Sequence, residues 1–216
     1  MLKTEIIRRL LDPGIIAIIR ADSSDQLVEA AGALLAGGVT AMEVTMTTPN
    51  ALQVIADVRA RFGAEILIGV GTVLDVETCR AAVGAGAEFV VTPVTKPDVI
   101  RAANALEKPI ASGAFTPTEA LHAHESGADF IKLFPADHAG PGYIRNLLAP
   151  LPMLRIIPTG GVTPDTAGDF LRAGSVALGA GTALVSRDIL QTRDWPALTA
   201  RAALFVERVR AARPRG

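Results

Sequence analysis

A single cysteine, Cys79, excludes an internal disulfide and with it the small cross-linked secreted folds. Its setting, Glu77-Thr78-Cys79-Arg80-Ala81-Ala82, reads as helix, so a buried, inert thiol and a cytoplasmic location are the expectations. Aromatic residues are only 4% of the chain, and no apolar run approaches the ~20 residues that span a membrane. Residues 1–11 space their apolar side chains as an amphipathic helix broken by charges, which is not the pattern of a signal-peptide core. Histidine is scarce too: His122 and His124 stand two apart and face different ways on a helix, and His138 lies far along the chain. They build no metal site. The formal net charge of −1 argues against nucleic acid, and the closing run of Arg208, Arg210, Arg213 and Arg215 is too short to grip a phosphate backbone.

Half of the residues are hydrophobic, a composition suited to parallel strands covered by small-residue helices. Short apolar runs recur at 14–20, 41–46, 66–73, 89–94, 109–115, 130–135, 154–159 and 176–184, with helical stretches between them. Three helix starts are signalled by Thr-Pro, at Thr48-Pro49, Thr116-Pro117 and Thr163-Pro164, and Thr116 with Glu119 fits a capping box. Gly38, Gly86, Gly127 and Gly174 each stand just before a strand, where a left-handed helix cap is needed. Their separations of 48, 41 and 47 residues each span two strand-helix units. Eight such units without a linker predict one domain over residues 1–216, a (β/α)8 TIM barrel with an extra N-terminal helix. A doubly wound open sheet is the alternative, with a smaller usual strand count.

In a barrel, functional groups belong at the C-terminal ends of the strands, and the polar residues fall there. Lys132 interrupts the apolar run Phe130-Ile131-Lys132-Leu133-Phe134-Pro135, and Glu43 interrupts Ala41-Met42-Glu43-Val44-Thr45-Met46. Burial penalises the charged form of an amine, and an uncharged amine is a nucleophile that forms Schiff bases with carbonyl compounds. A carboxylate in the same interior can move protons, although a purely structural Lys–Glu pair would use the same two residues. Pro158-Thr159-Gly160-Gly161-Val162 and Gly179-Ala180-Gly181-Thr182 close the seventh and eighth runs, in the loops where barrels commonly hold phosphate on free backbone amides. Gly69-Val70-Gly71-Thr72 opens like a dinucleotide fingerprint but lacks the third glycine and the later acid, so no Rossmann site is read there.

Taken together, Glu43-Val44-Thr45, Gly69-Val70-Gly71-Thr72-Val73, Phe130-Ile131-Lys132-Leu133-Phe134-Pro135 and Pro158-Thr159-Gly160-Gly161-Val162 resemble the 2-keto-3-deoxy-6-phosphogluconate aldolases, a family that also includes 4-hydroxy-2-oxoglutarate aldolases. The resemblance spans nearly the whole chain. It implies a class I aldolase of Entner–Doudoroff sugar-acid breakdown, usually a homotrimer, that uses no metal or other cofactor and takes a small keto-acid phosphate. It implies Lys132 as the Schiff-base lysine and Glu43 as the general acid/base. It further implies a substrate pocket of Arg20, Thr45, Thr72, Pro93, Phe134 and Thr159, and a phosphate site of Gly160, Gly161, Gly181 and Thr182. The sequence departs from the pattern at Thr47 and Ser112, where arginine and proline are frequent, and both bear on substrate preference. Gluconate-type, galactonate-type and hydroxy-oxoglutarate substrates all stay open. So does a phosphosugar isomerase or decarboxylase that keeps Lys132 only as a charge.

Overall fold

The computed structural model describes residues 1–21 and 26–213; Arg215 of the basic tail lies outside them. Eight parallel strands form the sheet: β1 Ile15–Ile19, β2 Ala41–Thr45, β3 Leu67–Gly71, β4 Val90–Val91, β5 Ile110–Ala114, β6 Phe130–Leu133, β7 Ile156–Pro158 and β8 Leu178–Ala180. Their order is β7-β6-β5-β4-β3-β2-β1-β8. Between β7 and β8 the ring closes through one bridge, Thr159 to Gly179, and the Val176 amide donating to the Ile156 carbonyl at 3.0 Å. The predicted TIM barrel and its extra N-terminal helix, α1 Lys3–Leu11, are both present.

The outer ring follows in chain order as α2 Leu27–Ala36, α3 Ala51–Phe62, α4 Val76–Gly84, α5 Pro97–Ala105, α6 Pro117–Glu125, α7 Ala136–Leu148, α8 Ala167–Arg172, α9 Arg187–Thr192 and α10 Trp195–Ala212. One apolar layer fills the space between strands and helices, drawing Ala17, Met42, Ile68, Val90, Ile131 and Leu178 from the outward faces of the strands. A second fills the floor of the barrel, where Ile16, Leu67, Phe89, Phe130 and Ile157 meet Ile6 and Leu10 of α1. Lys3 ties that helix down through Asp129 at 2.9 Å and Asn104 at 2.5 Å. The floor is thereby closed, and the upper end carries the opening.

Gly38, Gly86, Gly127 and Gly174 all have positive φ, from 88° to 114°, as their places before strands required. The capping box of Thr116 and Glu119 is also formed. The other two Thr-Pro starts need correction. Helix α3 begins only at Ala51, because the Thr48 hydroxyl accepts the Ala21 amide at 3.4 Å instead of capping. Helix α8 begins at Ala167, because Thr163 and Thr166 each accept the other's amide and close a separate turn first. The strands are shorter than the apolar runs predicted, with β1 ending at Ile19, so Arg20, Thr92, Pro93 and Thr159 stand just beyond strand ends.

Candidate active site

Successive side chains on a strand point to opposite faces. Floor residues Ile16, Ala41, Leu67 and Phe130 point inward, so two residues further on Ile18, Glu43, Gly69 and Lys132 point inward too, one layer higher. The register agrees, pairing Ile18 with Glu43, Glu43 with Gly69, and Gly113 with Lys132. Lys132 and Glu43 stand four strands apart in the ring, yet their extended side chains bring Nζ to 3.7 Å from Oε1. Both are buried, the lysine side chain 10% and the glutamate side chain 3% exposed.

Several details distinguish this pair from a salt bridge that merely fastens the barrel. A saturated pair would show charge-assisted bonds of about 2.7–2.9 Å. Here the contact is longer, and Glu43 Oε1 has no hydrogen-bond partner among the described residues although it is fully buried. A buried acceptor left without a donor is costly unless a donor arrives from elsewhere. Gly71 makes the position possible: a Cβ there would fall 1.6 Å from Glu43 Oε1. Lys132 Nζ also lies 5.5 Å from the centroid of the Phe134 ring, within range of a cation–π contact.

Above the pair opens a cavity of about 980 Å³, and every residue named from the sequence as catalytic, substrate-binding or phosphate-binding lines it. Arg20, Thr45, Thr72, Pro93 and Phe134 form the walls nearest strands β1 to β6, and Thr159 stands above β7. Thr45 Oγ1 shares hydrogen bonds with the hydroxyls of Thr47 at 3.0 Å and Thr48 at 3.4 Å, which steadies the wall beside Glu43. Thr72 has φ 61°, a conformation that costs a β-branched residue energy and is characteristic of sites that hold a side chain in place.

The remaining wall is backbone. Gly160 and Gly161 have φ of 94° and 68°, and Gly161 packs so closely on Asp137 that a Cβ would meet the aspartate Cβ at 2.6 Å. The amides of Gly161 and Val162, and those of Gly181, Thr182 and Ala183, find no acceptor among the described residues. Five N–H donors from the two loops thus border one cavity. Helix α8 begins only at Ala167, so these donors belong to the loops themselves and not to the helix start read at Thr163-Pro164.

The cavity also holds residues that the sequence did not single out: Gln26 ahead of α2, Thr163 beyond the glycine pair, and Arg187 and Gln191 on α9. Arg187 and Gln191 are one helical turn apart and so share a face, a spacing that could have marked them once β8 was placed. Cys79 is remote from the cavity and fully buried, and burial pushes its thiol up. Among the described residues, no three His, Cys, Asp or Glu side chains gather as metal ligands, and no helix is long and apolar enough to cross a membrane.

Comparison with known proteins bears on this arrangement directly. The chain is 35% identical to the 2-dehydro-3-deoxy-phosphogluconate aldolase of Pseudomonas aeruginosa over 182 residues, covering 84% of this chain and 82% of that one. It is 36% identical to the 2-dehydro-3-deoxy-6-phosphogalactonate aldolase of Escherichia coli K12 over 171 residues, covering 79% and 83%. Its fold superposes with a TM-score of 0.80 on the KDPG aldolase of Legionella pneumophila, 25% identical over 93% of this chain and 94% of that one, a structure with pyruvate captured as a covalent carbinolamine intermediate. The family model for KDPG and KHG aldolase matches residues 6–201. With a lysine facing a carboxylate beneath an open cavity and kinship across most of its length, the chain belongs to the KDPG and KHG aldolase family and is a carbon–carbon lyase of the Schiff-base class.

Proposed function

We propose that the chain cleaves 2-keto-3-deoxy-6-phosphogluconate into pyruvate and glyceraldehyde 3-phosphate. The observation that carries this reading is the approach of Lys132 Nζ to Glu43 Oε1 at 3.7 Å, both buried beneath a cavity bordered by free amides. The free amine of Lys132 attacks the C2 ketone, and loss of water leaves an iminium that draws electrons from the C3–C4 bond. Glu43 takes the C4 hydroxyl proton as that bond breaks, releasing the aldehyde. The enamine left on Lys132 is protonated at C3, and water hydrolyses the iminium to pyruvate and regenerates the amine. The steps as drawn need no metal or other cofactor.

Arg20 and Thr72 suit the keto-acid carboxylate, with Pro93 and Phe134 packed beside the reacting carbons and Thr45 and Thr159 as polar walls. Gly160, Gly161, Gly181 and Thr182 suit the phosphate through backbone N–H groups. Holding both ends of the substrate orients C4 over Glu43, an effect that lowers a barrier by as much as about 7–11 kcal/mol in ideal cases. Borohydride added with pyruvate should fix a reduced pyruvyl group on Lys132, read by peptide mass spectrometry. An unmodified Lys132 would end its assignment as the Schiff-base lysine.

A galactonate-type substrate is the second reading, favoured by the 36% identity to the Escherichia coli phosphogalactonate aldolase. Cleavage of 4-hydroxy-2-oxoglutarate to pyruvate and glyoxylate uses the same first steps. Cleavage rates on the three substrates decide among them. A homotrimer in the cytoplasm fits the family, and Leu74, Val94 and Phe115, exposed on the loops after β3, β4 and β5, give an assembly apolar surface to cover. Light scattering across an eluted peak measures the subunit number, and a monomer would end that part of the reading.

A further inference from the structure

Strand β4 stops at Val91, while its neighbour β5 runs on to Ala114. The ladder between them is regular up to the Thr92 amide, which donates to the Ala111 carbonyl at 3.0 Å. Continued in register, it would take the Gly113 amide to the Thr92 carbonyl and the Val94 amide to the Gly113 carbonyl, and neither bond forms. Two threonine hydroxyls make the rung instead: the Gly113 amide donates to Thr92 Oγ1 at 3.2 Å, and Thr95 Oγ1 donates to the Gly113 carbonyl at 3.0 Å. Thr92 Oγ1 in turn donates to the Val94 carbonyl at 2.7 Å, and the Ser112 hydroxyl lies 3.5 Å from it. Thr92 and Ser112 are fully buried, where a hydroxyl without a partner would be costly. Released from the ladder, the chain turns inward. Val90 faces the outer apolar layer and Val91 the barrel floor, so Pro93 is the next residue to face the interior. A Cβ on Gly113 would overlap the Pro93 carbonyl group and meet the Val94 amide nitrogen at 2.5 Å, so the Pro93–Val94 peptide rests on the bare inner face of that glycine. Gly113 pairs in register with Lys132, and Pro93 and Lys132 line the same cavity. Backbone thus fills the place next to the lysine that a side chain on β5 would hold.

We infer that Thr92 and Thr95 are positioning residues for the Schiff-base step: by supplying the missing rung at Gly113, they seat the Pro93–Val94 peptide as the wall that orients the keto acid on Lys132. Neither threonine lines the cavity, so both act through Pro93. A displacement of about 1 Å in such a wall can cost on the order of 100-fold in rate. The inference rests on the assignment of Lys132 as the Schiff-base lysine and adds to that site two residues that touch no substrate.

The test uses pyruvate alone. Bound as the iminium, it loses a C3 proton to give the enamine and regains one on return, so in heavy water its methyl protons exchange for deuterium, a change followed by NMR. That exchange needs Lys132 and its wall and nothing of the phosphate loops. Valine in place of threonine keeps the branched shape and removes the hydroxyl. In Thr92→Val, kcat for exchange should fall about tenfold or more while KM for pyruvate moves by less than about threefold. Thr92→Ser, which retains a hydroxyl, should recover most of the loss. Thr95→Val should lower kcat by about threefold or more, and it carries the test if Thr92→Val does not fold. A melting temperature that drops while kcat stays within about twofold of wild type makes the threonines structural only and overturns the proposal. So does a loss confined to KM, or a Thr92→Ser variant as slow as Thr92→Val. Borohydride trapping of pyruvate on the wild type separates the two levels: no adduct ends the assignment of Lys132 itself, whereas an adduct with an unmoved kcat in the valine variants overturns only the role of the threonines.

Discussion

Replacing one carboxylate oxygen of Glu43 with an amide keeps the side chain's shape over Gly71 and removes its ability to accept a proton. Glu43→Gln should lower kcat by about 10²–10⁴-fold, measured by coupling pyruvate release to a dehydrogenase. A loss below tenfold would leave proton transfer to some other group. Lys132 and Glu43 were legible in the sequence because each interrupts an apolar strand, and an ionisable group in such a place is conspicuous. Arg187 and Gln191 were not, because an arginine between Ser186 and Asp188 on a short polar helix is what any exposed surface shows. Only the closing of β8 against β1 turns that surface toward the cavity. Glu43's orphaned oxygen was likewise beyond reach of the sequence, since it depends on a contact across four strands.

At the scale of elements, α6 shows how local chemistry sets a boundary. Thr116 Oγ1 accepts the Glu119 amide at 3.3 Å, while Glu119 Oε2 accepts the amides of Thr116 and Phe115 at 2.8 Å each. Those amides, Thr116 first and Phe115 next, hold the Glu119 carboxyl below the ordinary carboxylate range. A carboxyl with a folded value below its unfolded one, near 4.3, contributes its full share above that pH and loses it as pH falls through the folded value. The melting temperature of Glu119→Gln should therefore trail the wild type at pH 6 and converge with it towards pH 3. A gap that widens in acid would contradict the assignment. Thr116→Ala should cost about 1 kcal/mol in chemical denaturation at neutral pH. The same Thr-Pro signal misplaced two other helix starts by two or three residues: the Thr48 hydroxyl accepts the Ala21 amide, and Thr163 and Thr166 close a turn of their own before α8 begins. Sequence spacing names the residue that can cap; it does not reveal a competing partner such as the Ala21 amide, which the fold brings to Thr48.

For the whole molecule, the repeat of strand and helix was readable because parallel strands buried on both faces leave near-continuous apolar runs, and glycine marks where each helix must turn back. Closure into a ring was readable only by counting eight. What the count could not convey is that the ring is unevenly joined. Strands β2 and β3 pair through five residues, while β7 and β8 meet at Thr159 and Gly179 and at one further amide. Even that bridge relies on Gly179, since a Cβ there would fall 2.3 Å from Thr159 Oγ1.

This loose joint lies beneath the two glycine loops, Gly160-Gly161 on one stave and Gly181-Thr182 on the next. A dianion gripped from both sides would act as a hasp across the gap, so that the substrate completes the hoop that nature left nearly open. Inorganic phosphate at saturating concentration should then slow hydrogen–deuterium exchange in β7 and β8 more than in β2 and β3. Equal slowing in all four would mean that the joint is already shut without cargo.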